Sequence, residues 1–166
     1  MTAHLRFNQL PLVLPVVFAL HCIEEFPTFI SFGDRHGIIL PPSNSLELIA
    51  AMAGFLLGVA VLSLLAHRAQ APGDWRMTLW MVFFAAIFLH AVLNVAGSFW
   101  LREYAPGAVV SACLYLPGGI YLFRRALREG WLSPLRLAVI MGLGLVLYVG
   151  LAAGLIAAGK AIRGIP

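Results

Sequence analysis

Five long apolar stretches, separated by short polar breaks, make up most of this chain. They cover residues 10–30, 45–67, 77–101, 107–125 and 134–158. Each approaches or exceeds the roughly 20 residues a helix needs to cross a hydrocarbon core of about 30 Å. The breaks are Gly33-Asp34-Arg35-His36-Gly37 with Pro41-Pro42, Ala71-Pro72-Gly73-Asp74, Ala105-Pro106-Gly107, and the segment from Gly130 to Pro134. Glycine and proline punctuate helices in this way. The pattern predicts an all-α fold, a polytopic transmembrane helical bundle of about five helices forming a single domain over residues 1–166. It contains no low-complexity tract and no internal repeat.

Polar residues inside these runs carry the information about function. His21, Glu24 and Glu25 in the first run are spaced i, i+3 and i+4, so a helix places them on one face, with Thr28 continuing the patch. A charged side chain near the bilayer centre costs about 2.5–3.5 kcal/mol. Two carboxylates there imply a compensating proton, cation or polar cavity. Pro27 removes a backbone bond to Ile23 and predicts a kink beside the cluster. Irregular backbone at that depth is tolerated only against protein or a cavity.

His90, Asn94 and Ser98 form a second polar line in the third run, with Gly97 on a nearby face. His21 lies about eleven residues from the start of its run and His90 about thirteen from the start of its own. At 1.5 Å per residue the two rings differ by only a few Å in depth. Glu47 at the head of the second run, and Ser111 and Tyr115 in the fourth, fall in the same half of the bundle. Polar groups from four helices therefore converge in one half, and the other half is almost uniformly apolar.

Neutral imidazoles and carboxylates are good ligands for Zn, Fe or Mn. His21, Glu25 and His90 would supply three ligands and leave a position open, as catalytic metal sites do. Glu24 would then serve as general acid/base, as a bridging carboxylate or as a partner of a ligand, and Asn94 would orient a ligand or substrate. A metal-free site is equally coherent, with Glu24 or Glu25 shuttling a proton.

Composition and charge narrow the class. Hydrophobic residues make up 61% of the chain and charged ones only 11%, well under the usual quarter of a soluble domain. The net charge of +4 is spread between apolar runs, which suits topology signals and not nucleic acid. Arg6, Arg68, Arg76, Arg124, Arg125, Arg128 and Arg136 fall at one end of the alternating spans; Arg35, Arg102, Lys160 and Arg163 fall at the other. This bias predicts a cytoplasmic N-terminus in a membrane of bacterial inner-membrane type. Leu20-His21-Cys22 lacks the small residues of a cleavage site, so the first run is expected to be retained.

Other features have ordinary readings. Cys22 and Cys113 lie inside spans and form no metal motif. Gly54-x-x-x-Gly58 and Gly150-x-x-x-Gly154 are expected to serve helix packing within the bundle. His4, His36 and His67 are expected to be exposed. Trp75, Trp80, Trp100, Trp131 and Tyr104 are expected in interfacial belts, and Arg102 with Glu103 as a rim pair. Gly-x-Ser-x-Gly, His-Glu-x-x-His and phosphate-cradling loops are absent.

His21-Cys22-Ile23-Glu24-Glu25 resembles the signature of the membrane-protein family named for its HXXEE motif. The likeness continues through His90, Arg102-Glu103-Tyr104-Ala105-Pro106-Gly107 and Leu116-Pro117, covering roughly residues 10–128. It implies a small helical membrane protein in which His21, Glu24, Glu25 and His90 matter, and it names no reaction. The expected function is a metal-dependent membrane enzyme acting on a lipid or isoprenoid, with Zn or Fe as cofactor. The expected partners are membrane lipids or a hydrophobic small molecule, with oligomerisation open and nucleic acid excluded. The alternatives are a metal-free acid/base lipid isomerase, or a non-enzymatic lipid-binding, transport or accessory subunit. The absence of inverted repeats counts against transport.

Overall fold

The computed structural model describes residues 6–37 and 44–162, the side chain of Ile162 excepted. His4, Pro41, Pro42 and Arg163 therefore lie outside the described residues. Helix is the only regular structure among the described residues. A 3₁₀ turn, Phe7–Val13, leads into α1, Leu14–Glu25; then come α2, Phe29–Arg35, α3, Ser45–His67, and α4, Trp75–Leu101. A short helical turn α5, Ala108–Val110, a π-helical turn, Ser111–Tyr115, and α6, Leu116–Arg128, form one broken helical passage, and α7, Pro134–Ile162, completes the bundle. Four helical stretches are long and apolar enough to cross a membrane: Phe7–Glu25, Ser45–His67, Trp75–Leu101 and Pro134–Ala161.

The first predicted span is two helices. α1 stops at Glu25, with Phe26 N–H donating to the Cys22 carbonyl at 2.9 Å, and the chain turns through Pro27 before α2 begins. Proline has no N–H to continue the ladder, so the expected kink is a full break. The fourth predicted span starts in irregular backbone and ends at the arginines of α6, which is why it does not form one long apolar helix.

α4 is the axis of the bundle. A third of its spanning window (33%) is buried, against 11% for α7, which lies along its outer side. Trp80 stacks on Phe84 with ring centroids 5.2 Å apart, and Phe123 packs against Phe84 and Phe88. Trp80 is buried and donates from Nε1 to Ser63 Oγ at 3.1 Å. It therefore belongs to the core and not to an interfacial belt. In lipid, helices associate through close packing rather than water exclusion. The close approaches are at Gly144, where an added Cβ would lie 2.6 Å from Ala85 Cβ, and at Gly119, where it would meet Phe88. Gly54, Gly58, Gly150 and Gly154 have nothing within 4 Å of that position, so those two motifs do not mediate packing within the bundle.

Contacts at the two ends show that successive passages alternate in direction. At one end Phe7 stacks on Trp131 at 5.0 Å, and Asn8 Nδ2 donates to the carbonyls of His67 and Ala69. His67 Nδ1 in turn donates to the Asn8 carbonyl at 3.0 Å, so this histidine, expected to be exposed, is a half-buried clasp. At the other end Glu103 accepts from Arg35 at 2.5 Å and lies 3.0 Å from His36 Nε2. Glu103 thus joins α2 to the end of α4 and does not pair with Arg102, which caps α4 in a left-handed conformation at φ 51°.

Candidate functional site

His21, one turn before the end of α1, is 3% exposed and has Glu25 beside it, with Nε2 and Oε2 3.6 Å apart. His90 approaches from α4; its ring centroid is 5.7 Å from that of His21, and the rings are nearly perpendicular at 84°. One ligand atom from each of His21, Glu25 and His90 lies within 4.8 Å of the others. The two rings thus lie at the similar depth expected from their positions in the first and third apolar runs. Asn94, one turn beyond His90, places its side-chain amide 3.2 Å from His90 Nε2 and restrains that ring; with the amide oxygen accepting from Nε2–H, Nδ1 is left to ligate. Such a partner sets the tautomer and orientation of a histidine.

Glu24 is not part of this group. Its carboxylate turns to the start of the fourth passage, where Oε1 accepts from Val109 N–H at 2.8 Å and Oε2 from Val110 N–H at 2.7 Å. The Tyr104 hydroxyl donates to Oε1 as well. Partial burial, followed by the Glu24 carboxylate, pushes that hydroxyl up to about 12, so it remains a donor through the physiological range. The first N–H groups of a helix have no intrahelical acceptor, and the carboxylate satisfies two of them. Adjacent residues on a helix point about 100° apart, which separates Glu24 from Glu25.

Ser98 is likewise taken by backbone: its hydroxyl accepts from Ala105 N–H at 2.9 Å. Ser98 and Glu24 together accept backbone N–H groups along the chain that runs from the end of α4 to Val110. Thr28 bonds the Glu25 carbonyl, and Glu47 forms a capping pair with Asn44 at the head of α3. Neither belongs to the His21, Glu25 and His90 group.

Gly107 explains why that chain can come so close. A Cβ built there would sit 2.1 Å from His21 Cε1, and its φ of +77° is one that side-chain-bearing residues rarely adopt. Sequence reasoning met Gly107 only as a turn residue. Tyr115, four residues past the buried Ser111, packs its ring edge-on to His21 at 5.5 Å and 77°. Tyr148 of α7 lies 5.8 Å from His90. It was missed, although it is the one hydroxyl-bearing residue of the last apolar run.

These groups border a cavity of about 500 Å³ among α1, α2, α3, α4 and α7. Its wall is mainly Phe, Leu, Ile and Ala, including Phe29, Phe55, Phe83 and Leu155; His21, Glu25, His90, Asn94, Tyr115 and Tyr148 supply most of its polar atoms. Glu24 does not line it. An apolar chamber with a few convergent polar groups is the usual form of a small-molecule site.

Neither a curated protein nor a solved structure matches the chain. The model of one family does, that described as "Protein of unknown function with HXXEE motif", over residues 12–122, and the chain belongs to that family.

Proposed function

We propose that this protein is an integral membrane enzyme that holds a divalent transition metal through His21, Glu25 and His90 and acts on a lipid or isoprenoid in the adjoining cavity. The observation that carries this reading is the meeting of those three donors at the wall of an apolar chamber. Two imidazoles and one carboxylate suit Zn or Fe. Ligand atoms around a tetrahedral ion with bonds of ~2.1 Å are roughly 3.4 Å apart, close to the 3.6 Å between His21 Nε2 and Glu25 Oε2. The three ligand atoms as a set lie within 4.8 Å of one another. A bound ion would polarise an oxygen of the substrate. The chain's own residues orient the ligands: Asn94 holds His90, while Gly107 and Tyr115 press on His21 from the other side. Glu24 acts as a positioning residue that fixes Gly107 and the turn after it.

The seven arginines at the Phe7 and Trp131 end support a cytoplasmic N-terminus, in a membrane of bacterial inner-membrane type. The 3.6 Å approach of His21 to Glu25 also favours a second reading, a metal-free acid/base isomerase in which that pair passes a proton.

Reconstituting the protein in liposomes with a total lipid extract supplemented with isoprenoid alcohols, then profiling products by mass spectrometry, tests the enzymatic reading. A product that forms with wild-type protein and drops at least a hundredfold in H21A and E25Q supports it. Identical product profiles for all three proteins would remove it. Activity that survives complete chelation would favour the proton-shuttle version.

A further inference from the structure

Gly107, Ser111 and Tyr115 recur every four residues, and the last two begin and end the π-helical turn. In such a turn residues four apart share a face, and here that face meets His21. Tyr115 is 2% exposed and Ser111 is fully buried. Neither hydroxyl has a hydrogen-bond partner, and neither does His21 Nδ1; among the described residues these are the buried side-chain polar atoms left unpaired. The Trp80 and Ser63 pair shows the contrast, since that buried donor and acceptor satisfy each other. Leaving a buried hydroxyl unpaired destabilises a fold, and phenylalanine would fill the same space without that cost. Of these residues His21 and Tyr115 line the cavity, and Ser111 lies outside its wall.

We propose that the Tyr115 hydroxyl binds the oxygen of an amphiphile whose polar end is a neutral alcohol or carbonyl and whose hydrocarbon chain occupies the cavity. This rests on reading the cavity as the substrate site. A neutral head is specified by the side chains of the wall: no Lys or Arg lines the cavity, so an ionised carboxylate or phosphate head would be buried there without a side-chain cation to pair with it. A single chain is specified by size, because about 500 Å³ suits one small ligand. Tyr115 is thereby the residue that selects for oxygen at the head, since a buried polar group left unpaired rejects analogues that lack its partner.

The test uses the full chain in nanodiscs with 1-hexadecanol, hexadecanoate and hexadecane as probes, comparing wild type with Y115F and S111A. Hexadecanol is expected to bind more tightly than hexadecanoate, and Y115F to weaken hexadecanol about tenfold while leaving hexadecane unchanged. Without probe, Y115F is expected to melt at the same temperature as wild type or higher, because it removes an unpaired hydroxyl and keeps the ring. S111A is expected to keep or raise the melting temperature in the same way. Hexadecanol affinity unchanged in Y115F, tighter binding of hexadecanoate, or no saturable hexadecanol binding would each overturn the proposal. Metal content measured on the same samples separates the two readings. Y115F should retain it, so loss of oxygen selectivity leaves the metal assignment standing, and loss of metal in a ligand variant leaves the binding result interpretable.

Discussion

Glu24 and Glu25 are neighbours in the chain and do different work. Glu25 faces His21 and the cavity, whereas Glu24 accepts two backbone N–H groups and a tyrosine hydroxyl. Hydrogen bonds to a charged acceptor contribute roughly 1.5–3 kcal/mol each, so E24A is expected to cost about 2 kcal/mol or more. The measurable result is a fall of several degrees in the melting temperature of the detergent-solubilised protein. E25Q, which keeps the side chain's shape, is expected to leave that temperature nearly unchanged and abolish metal binding. Equal effects of the two substitutions on both readouts would contradict the division. The sequence shows that both glutamates sit in an apolar run, and it shows their spacing from His21. It does not show which carboxylate serves backbone, because the acceptors' partners, Val109 and Val110, are more than eighty residues away. Ser98 was opaque for the same reason: a polar residue on a predicted helix face looks like a site residue until the chain that needs its oxygen is in place.

At the scale of elements, the departures from regular helix surround the site. Pro27 ends α1 just after Glu25, the π-helical turn carries Ser111 and Tyr115, and the irregular chain reaches His21 at Gly107. Pro27 was readable as a disruption because proline acts locally, while the π turn left no local signal. α2 and the end of α4 are fastened by Glu103 with Arg35 and His36, beside α2 residues that line the cavity. Hydrogen bonds from Arg35, then from His36, hold the Glu103 carboxyl below the usual carboxylate range. A depressed folded-state value means the fastening is complete above the unfolded value of about 4 and is lost as pH falls through the lower folded value. Hydrogen exchange at residues 33–37 and 102–105 is therefore expected to quicken relative to the bundle core as pH drops from 5 to 3, after correction for the intrinsic rate. E103Q should show the quickened exchange at pH 7. Exchange in E103Q that matches wild type at pH 7 would mean that this contact does not hold the two elements together.

The whole molecule is a helical bundle with its arginines biased to one end and the His21, Glu25 and His90 group in the other half. Apolar run lengths predicted four of the five passages as helices of membrane-crossing length, and the alternation of ends seen in the Phe7 and Trp131 stack and the Glu103 contacts agrees with them. Helix faces were less legible. Every side of a helix in lipid is apolar, so hydrophobic pattern cannot distinguish the Gly144 side of α7, which packs on Ala85, from the Gly150 and Gly154 side, which meets nothing within the chain. Polar residues do mark an inward side, which is why His21 and His90 could be brought together from sequence and Trp80 could not be placed. The same logic brings His21, Glu25 and His90 within 4.8 Å where α1 meets α4, the centre of the proposed function.

Elemental analysis of the purified protein in mild detergent, alongside the H21A/H90A variant, tests that centre most directly. The account predicts about one equivalent of Zn or Fe per chain in wild type and its loss in the variant, with helix content unchanged by circular dichroism. No metal in the wild type, before or after reloading of the stripped protein, or equal metal in both proteins, would contradict it.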